Sequence, residues 1–323
     1  MISLAYIIGY SVVGFVGLWL IRLFIQGGQF RKPTRCDGKV ILITGANTGI
    51  GKETAKELLK RGGKVYIACR SLPKANQARQ ELIAETGSKN IHVRELDLSS
   101  LKSVRNFAKE FLAEESRLDI LINNAGVMAC PKSLTKDGFE MQLGVNHLGH
   151  FLLTNLLLDR LKSSAPSRIV NLSSLAHKFG GINRTDLNSE KSYSAFGAYG
   201  QSKLANVLFT KELAKRLEGS GVTTYAVHPG SVHTELQRHL GSLFFLLDNF
   251  VVRTIMPLVL KTPQAGAQTS IYTALDEGLA HETGKYYADC HEVIPSKAAQ
   301  DEETAGWLWK VSEEMTGLSK KSS

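Results

Sequence analysis

The sequence predicts an α/β fold, a doubly wound parallel sheet in a single domain, and three observations carry that prediction. Short apolar runs alternate along the chain with longer amphipathic stretches, the pattern of parallel strands covered by helices on both faces. The first run ends in a glycine turn, VILITGANTGIG over Val40–Gly51, with Gly45, Gly49 and Gly51 spaced G-x-x-x-G-x-G. Polar residues able to do chemistry then recur at the ends of later runs, where open α/β sheets hold their ligands.

Composition narrows the classes. The 323 residues are 43% hydrophobic and 21% charged, enough for one large α/β domain. The formal net charge is +9, but no long lysine/arginine block concentrates it, which argues against a nucleic-acid partner. Cys36, Cys69, Cys130 and Cys290 are widely separated. That spacing argues against a disulfide framework or a metal site and fits a reducing compartment.

The elements follow in order. Residues Ile2–Ile21 carry no charge, and about 20 apolar residues span a hydrocarbon core of roughly 30 Å as a helix. Nothing basic precedes the run and no small-residue cleavage site follows it, so a retained anchor over 1–25 is expected rather than a signal peptide. Arg22, Arg31, Lys32 and Arg35 come after it, placing the domain on the cytosolic side. A basic linker over 26–37 leads to the domain, 38–318. Strands are expected at Lys39–Thr44, Lys64–Cys69, Ile91–Leu96, Asp119–Asn123, Arg168–Ser173, Val222–His228 and Lys285–Tyr287. Helices are expected at Glu53–Arg61, Lys74–Glu85, Leu101–Glu115, Phe139–Leu161 and Ala198–Leu217. The apolar 236–260 stretch is interrupted by Asp248, Asn249, Arg253 and Pro257, which argues against a second span.

The glycine turn sits where a strand meets a helix, so its backbone N–H groups can meet a pyrophosphate at the helix N-terminus. Asn47, Thr48 and Ile50 belong to that turn. In such units the residue about 20 positions further on meets the adenosine ribose, and an arginine there accommodates a 2′-phosphate. Arg70 fills that slot with no acid beside it, which points to NADP(H), and Lys52 is placed to add a second positive charge. Asp97 ends the third strand, where it can reach an adenine edge; alone it reads as a cap for the following helix. Asn124, Ala125 and Gly126 close the fourth strand. Tyr199 and Lys203 stand four apart and so share a helix face. An ammonium beside a phenol lowers the phenol's pKa and lets it exchange a proton near neutrality. The histidines His147, His150, His177 and His228 are expected to serve packing and hydrogen bonding.

Taken together these residues resemble the short-chain dehydrogenase/reductase family, a Rossmann-type fold. The likeness rests on TGANTGIG at Thr44–Gly51, NNAG at Asn123–Gly126, Asn146, Ser174, Tyr199-x-x-x-Lys203 and the Pro229-Gly230 turn. It implies Tyr199 as acid/base, Lys203 as its activator and ribose ligand, Ser174 as the carbonyl-polarising group and Asn146 as support for a water relay. It also implies that Thr234 meets the nicotinamide amide. Ser173 is a rival for the serine role. Ser174 and Tyr199 are separated by a longer stretch than in many members, and that insert, Phe179–Phe196, is expected to lie over the site. The runs LGVNHLGHFLLT, SSLAH, SKLANVLFTKELAKRL and GVTTYAVHPG look like the membrane-anchored retinol dehydrogenases. That resemblance implies interconversion of retinal and retinol with NADP(H), retinal reduction favoured, at the endoplasmic reticulum membrane; mitochondria and lipid droplets are the alternatives. Steroids or lipid-derived aldehydes are the alternative substrates, and a non-catalytic scaffold the outside alternative. An apolar small-molecule substrate is then expected to meet Ser174 and a lid carrying Leu243, Phe245 and Phe250, with membrane lipid as the other partner.

Overall fold

The computed structural model describes residues 16–17, 19–232 and 260–319. Eight strands form one sheet in the order β3-β2-β1-β4-β5-β6-β7-β8. They are β1 (Val40–Thr44), β2 (Lys64–Cys69), β3 (Ile91–Glu95), β4 (Ile120–Asn123), β5 (Ser167–Leu172), β6 (Val222–His228), β7 (Lys285–Ala288) and β8 (His291–Glu292). All pair in parallel except β8, which turns back antiparallel on β7. The connecting helices are α1 (Gly49–Lys60), α2 (Leu72–Thr86), α3 (Leu101–Glu114), α4 (Gly149–Ser163), α5 (Ala195–Arg216), α6 (Pro263–Leu275) and α7 (Glu302–Thr316).

The first strand shows why its residues read as an unbroken apolar run. Ile41 and Ile43 pack into the core under α1, α2 and α6, whereas Val40 and Leu42 enter the core under α3, α4, α5 and α7. With both faces covered, every position is apolar. Each fully buried aliphatic side chain contributes about 1.5–3 kcal/mol relative to exposure, so the sheet is a stiff platform. Strand order reverses between β1 and β4, which opens a crevice at their carboxyl ends. Helix starts divide into two kinds. Side chains of Ser100, Ser194, Thr262 and Asp301 cap α3, α5, α6 and α7, but Thr48 and Ser71 leave α1 and α2 without a side-chain cap.

Several expected elements differ from the observed ones. Helix α1 begins at Gly49 rather than Glu53, because Gly49, at φ +58, turns the chain directly into it. The helical pattern over Phe139–Leu161 starts at Met141 and is widened by a π turn at Gly144–Leu148. Helix α6 shows no amphipathic stripe in the sequence, since most of its residues are buried. Helix α7 lies on α5, with Trp309 packed edge-on against Phe151 at 4.9 Å and stacked on Phe209 at 5.8 Å. The 26–37 stretch, expected as a linker, is a strap packed onto the fold. Phe30 and Cys36 are buried, the Phe30 N–H donates to Gln268 at 3.0 Å, and Lys32 pairs with Asp276 at 2.9 Å.

The four cysteines are free thiols. Among the described residues no helix is long and apolar enough to cross a membrane, and most of the Ile2–Ile21 run lies outside them. Thr234, Leu243, Phe245 and Phe250 also lie outside the described residues.

Candidate active site

A cleft of about 600 Å³ opens at the carboxyl end of the sheet, running from Arg70 past the glycine turn to Tyr199. Its first half is built from backbone. The Thr44 hydroxyl accepts the N–H groups of Asn124 and Ala125, both at 3.0 Å, so its own proton is free to donate to His150 Nε2 at 2.8 Å. That leaves the His150 proton on Nδ1, which donates to the Asn146 carbonyl at 3.1 Å. Asn124 Nδ2 donates back to the Thr44 carbonyl at 2.8 Å. The Asn123–Gly126 loop therefore lies directly on the glycine turn. A Cβ on Gly45 would stand 2.8 Å from the Ala125 Cβ, and one on Gly51 would stand 2.5 Å from Asn124 Nδ2. Only glycine fits at either place. Asn47, Thr48, Gly49 and Ile50 line the cleft above the open first turn of α1. Its unpaired N–H groups and its dipole favour an anion there.

The far end is cationic. Arg70 is exposed on the cleft wall together with Ser71 and Lys74. Lys52, expected to help Arg70, instead forms an ion pair with Glu81 on α2 and does not line the cleft. Its place in the first turn of α1 points it across to α2. Lys74 takes that role geometrically, and its signal was its position one helical turn past Arg70. Among the described residues, Asp97 is the sole carboxylate on the wall. Burial raises its pKa, but bonds from Ser99 (2.6 Å to the hydroxyl) and the Lys136 ammonium (2.9 Å) outweigh that and hold it below the usual range. Ser100, not Asp97, caps the helix that follows.

The other half is built from buried side chains. Tyr199 and Lys203 lie one turn apart on the fully packed stretch of α5. Ser174 lies near enough to the Tyr199 phenol to oppose the rise in its pKa, and its hydroxyl accepts the Ala176 N–H at 3.2 Å. Ser173 is turned away from that pair, its hydroxyl donating to the Lys203 carbonyl at 2.8 Å. The structure thus separates the two serines. Lys203 Nζ donates to the Leu172 carbonyl at 3.1 Å and lies 5.7 Å from the centre of the Tyr199 ring. Burial pushes the Tyr199 phenol up to about 12, opposed by Ser174, and pushes Lys203 down to about 8. A phenol lowered by the lysine was expected; burial raises it instead, with Ser174 as the opposing group and the ammonium placed over the ring.

Asn146 sits on the π turn but not on the cleft wall. Its side chain clamps Val127, accepting the N–H at 2.8 Å and donating to the carbonyl at 2.9 Å, and donates to Ser202 Oγ at 2.9 Å. The insert, expected over the site, lies elsewhere. No residue from 175 to 198 lines the cleft. Gln201 binds the insert at Asn183 and Leu187, both at 2.9 Å, and Tyr193 donates to the Cys130 carbonyl at 2.6 Å while accepting from Gln142 at 3.0 Å. These bonds strap it outside α5.

Sequence reasoning missed Met128, Met141 and Val145, which add apolar side chains to the cleft wall. The four-residue spacing of Met141 and Val145 was the available signal. Pro229 and Gly230 line the cleft, and His228 Nδ1 accepts the Gly230 N–H at 3.3 Å. Burial drives His228 down to about 4, so it is neutral there. His147 and His177 bond to Ser312 and to the Ser174 carbonyl, at 2.9 and 2.7 Å.

Comparison with known proteins follows the same lines. The sequence model of a family described as short chain dehydrogenase matches residues 39–242. Retinol dehydrogenase 12 of Homo sapiens is 58% identical over 298 residues, covering 92% of both chains. Retinol dehydrogenase 11 of Mus musculus is 56% identical with the same coverage. Retinol dehydrogenase 13 of Homo sapiens is 50% identical over 316 residues, 97% of this chain and 96% of its own. Among solved structures, an uncharacterised protein from Mycobacterium paratuberculosis superposes with TM-score 0.71 at 38% identity, covering 88% of this chain and 95% of that one. The NADP active-site complex of Pseudomonas aeruginosa RhlG matches with TM-score 0.64 at 26% identity, covering 83% and 100%.

Proposed function

The chain belongs to the short-chain dehydrogenase/reductase family, and from that premise we propose that it interconverts retinal and retinol with NADP(H), retinal reduction being the favoured direction. The observation that carries the reading is the juxtaposition of Ser174, Tyr199 and Lys203 at one end of a cleft whose other end is the Arg70–Lys74 cation pair. The residues fit a dinucleotide phosphate: glycines that leave no room for a Cβ, an uncapped helix start, and two exposed cations with no carboxylate paired to them among the described residues. Relatives named as retinol dehydrogenases support the substrate class.

In this reading the first turn of α1 binds the pyrophosphate, while Arg70, Ser71 and Lys74 bind the 2′-phosphate. Lys203 holds the nicotinamide ribose. The bound cofactor supplies the hydride that reduces the carbonyl carbon. Ser174 donates a hydrogen bond to the carbonyl oxygen, and Tyr199 transfers its phenolic proton to that oxygen as negative charge develops there. The phenol carries its proton at neutral pH and so has one to give. The Lys203 ammonium then stabilises the phenolate left behind. Asn146 fixes the Val127 loop and the π turn from behind. Met128, Met141 and Val145 offer the polyene an apolar wall.

We place the protein in the endoplasmic reticulum membrane with its domain in the cytosol. The Ile2–Ile21 run and the basic residues after it support that placement. Purified enzyme assayed with NADPH and NADH against all-trans-retinal, a ketosteroid and a medium-chain aldehyde tests the proposal. Retinal reduction with NADPH is expected. Preference for NADH would overturn the role of Arg70 and Lys74, and turnover of the ketosteroid alone would replace the substrate. Protease added to intact microsomes should digest the domain, and full protection would reverse the orientation.

A further inference from the structure

The exposed apolar side chains of this protein are unevenly distributed. Among the described residues, the large exposed hydrophobics fall in the helical residues 16–17 and 19–26 or in connections that leave the carboxyl ends of strands, apart from Ile294 beyond β8. Leu72 follows β2, Leu134 follows β4, and Leu175 and Phe179 follow β5. Phe196 stands in the first turn of α5, the end of that helix beside Tyr199. Phe179 and Phe196 are 85% and 58% exposed, far beyond what packing requires of a phenylalanine.

These residues form a patch. Phe196 and Gly200 share a helix face, and Gly180 lies on Gly200 so closely that a Cβ on Gly180 would stand 2.3 Å from the Gly200 carbonyl carbon. Phe179, next to Gly180, and Phe196, one turn before Gly200, thus flank one close backbone contact. A Cβ on Gly200 would stand 3.1 Å from the Ala176 carbonyl oxygen, next in the chain to Leu175. The helical segment 19–26 joins the fold at the same end. Gln26 accepts from the Thr262 N–H at 3.0 Å, and Gly27 packs on Lys261 and Asp289, the latter directly after β7. Lys261 also touches Gly230 on the cleft wall. Above this junction Trp19, Leu20, Ile21, Leu23 and Phe24 are each about half exposed or more.

We propose that the carboxyl end of the sheet lies against a lipid bilayer, with Phe179, Phe196 and Leu175 as a second contact beside the N-terminal helix, so that the cleft opens toward lipid. The inference rests on the membrane placement proposed above. The occupant follows from the sequence: the Ile2–Ile21 run is long enough for a hydrocarbon core and leads into a helix pinned at the cleft mouth. A bilayer holding that run must lie beside this end. Exposed aromatic rings there gain burial in the interfacial layer. An apolar substrate then passes from the acyl chains to Ser174 and Tyr199 without crossing bulk water.

The test uses the full chain in phosphatidylcholine vesicles containing a lipid with a photoactivatable diazirine on its acyl chain. After irradiation, adducts are mapped by mass spectrometry. Adducts are expected on the Leu175–Phe179 and Phe196 peptides as well as on 19–24, with β3 at background. Labelling confined to 19–24, or no labelling at all, overturns the proposal. The Phe179→Ser, Phe196→Ser double variant should lose the first two adducts and keep those on 19–24. It should also raise KM for vesicle-borne retinal several-fold and leave KM for a short water-soluble aldehyde unchanged. Equal KM values for both substrates in variant and parent contradict delivery from lipid. If the parent does not turn over retinal, the substrate reading fails, yet the adduct map still decides the orientation.

Discussion

The two halves of the cleft are made of different material. The cofactor half relies on close backbone approach: Thr44, Gly45 and Gly51 pack against Asn124 and Ala125 with no space for added atoms. The catalytic half relies on side chains withdrawn from water, where burial alone moves Tyr199 up and Lys203 down. Recognition of a large anionic ligand needs fixed N–H donors, which a stiff turn supplies without mobile charges. Proton transfer needs groups whose ionisation is poised, which only burial and neighbours can set. The two halves should therefore fail separately when altered.

The largest expected effect is in the catalytic half. Tyr199→Phe should lower turnover by about 10²–10⁴-fold, the usual scale of a lost general acid. Steady-state rates check it, and near-parental turnover would remove Tyr199 from the mechanism. In the cofactor half, Gly45→Ala places a Cβ against Ala125 in a residue at φ +67. The strain, about 1–3 kcal/mol, should lower the melting temperature and weaken NADPH binding; an unchanged titration would show that the turn yields easily. Arg70→Asp should reduce the NADPH/NADH ratio of kcat/KM by about one to two orders of magnitude. Lys74→Ala should reduce it less, and Lys52→Ala, paired with Glu81, should leave it unchanged. A large effect at Lys52 would show that it exchanges partners when cofactor binds.

A further effect, on stability rather than on activity, concerns acid. Burial depresses His147 to about 4 and His150 to about 3, from an ordinary 6.5. Below pH 6.5 the unfolded chain takes up protons that the folded one refuses. Stability is therefore lost as pH falls from about 6.5 toward 4, by about 1.4 kcal/mol per pH unit for each histidine. Melting temperatures between pH 7 and pH 5 should decline, and a flat profile would contradict the buried neutral state.

What the sequence made legible follows from the same contrast. Strands β2 and β6 lie where their apolar runs placed them, and the glycine turn and the Tyr199–Lys203 pair depend only on local spacing. Lys52 could not be judged locally, because its partner Glu81 lies on the next helix. The π turn under Asn146 hides inside an ordinary helical pattern, since widening one turn adds no distinctive residue. The insert's placement depends on Gln142 and Gln201, polar residues on buried helix faces that gave no sign of what they hold. Phe30 and Cys36 were too sparse to mark the strap as part of the core.

The separation of the two halves is tested most directly by one paired measurement on Tyr199→Phe: NADPH affinity by fluorescence titration, and retinal reduction on the same sample. Ser174, Lys203 and the glycine turn remain in place in that variant. The affinity should equal that of the parent while turnover is lost. Loss of both together would mean that Tyr199 builds the cofactor site, and retention of both would mean that the proton comes from elsewhere.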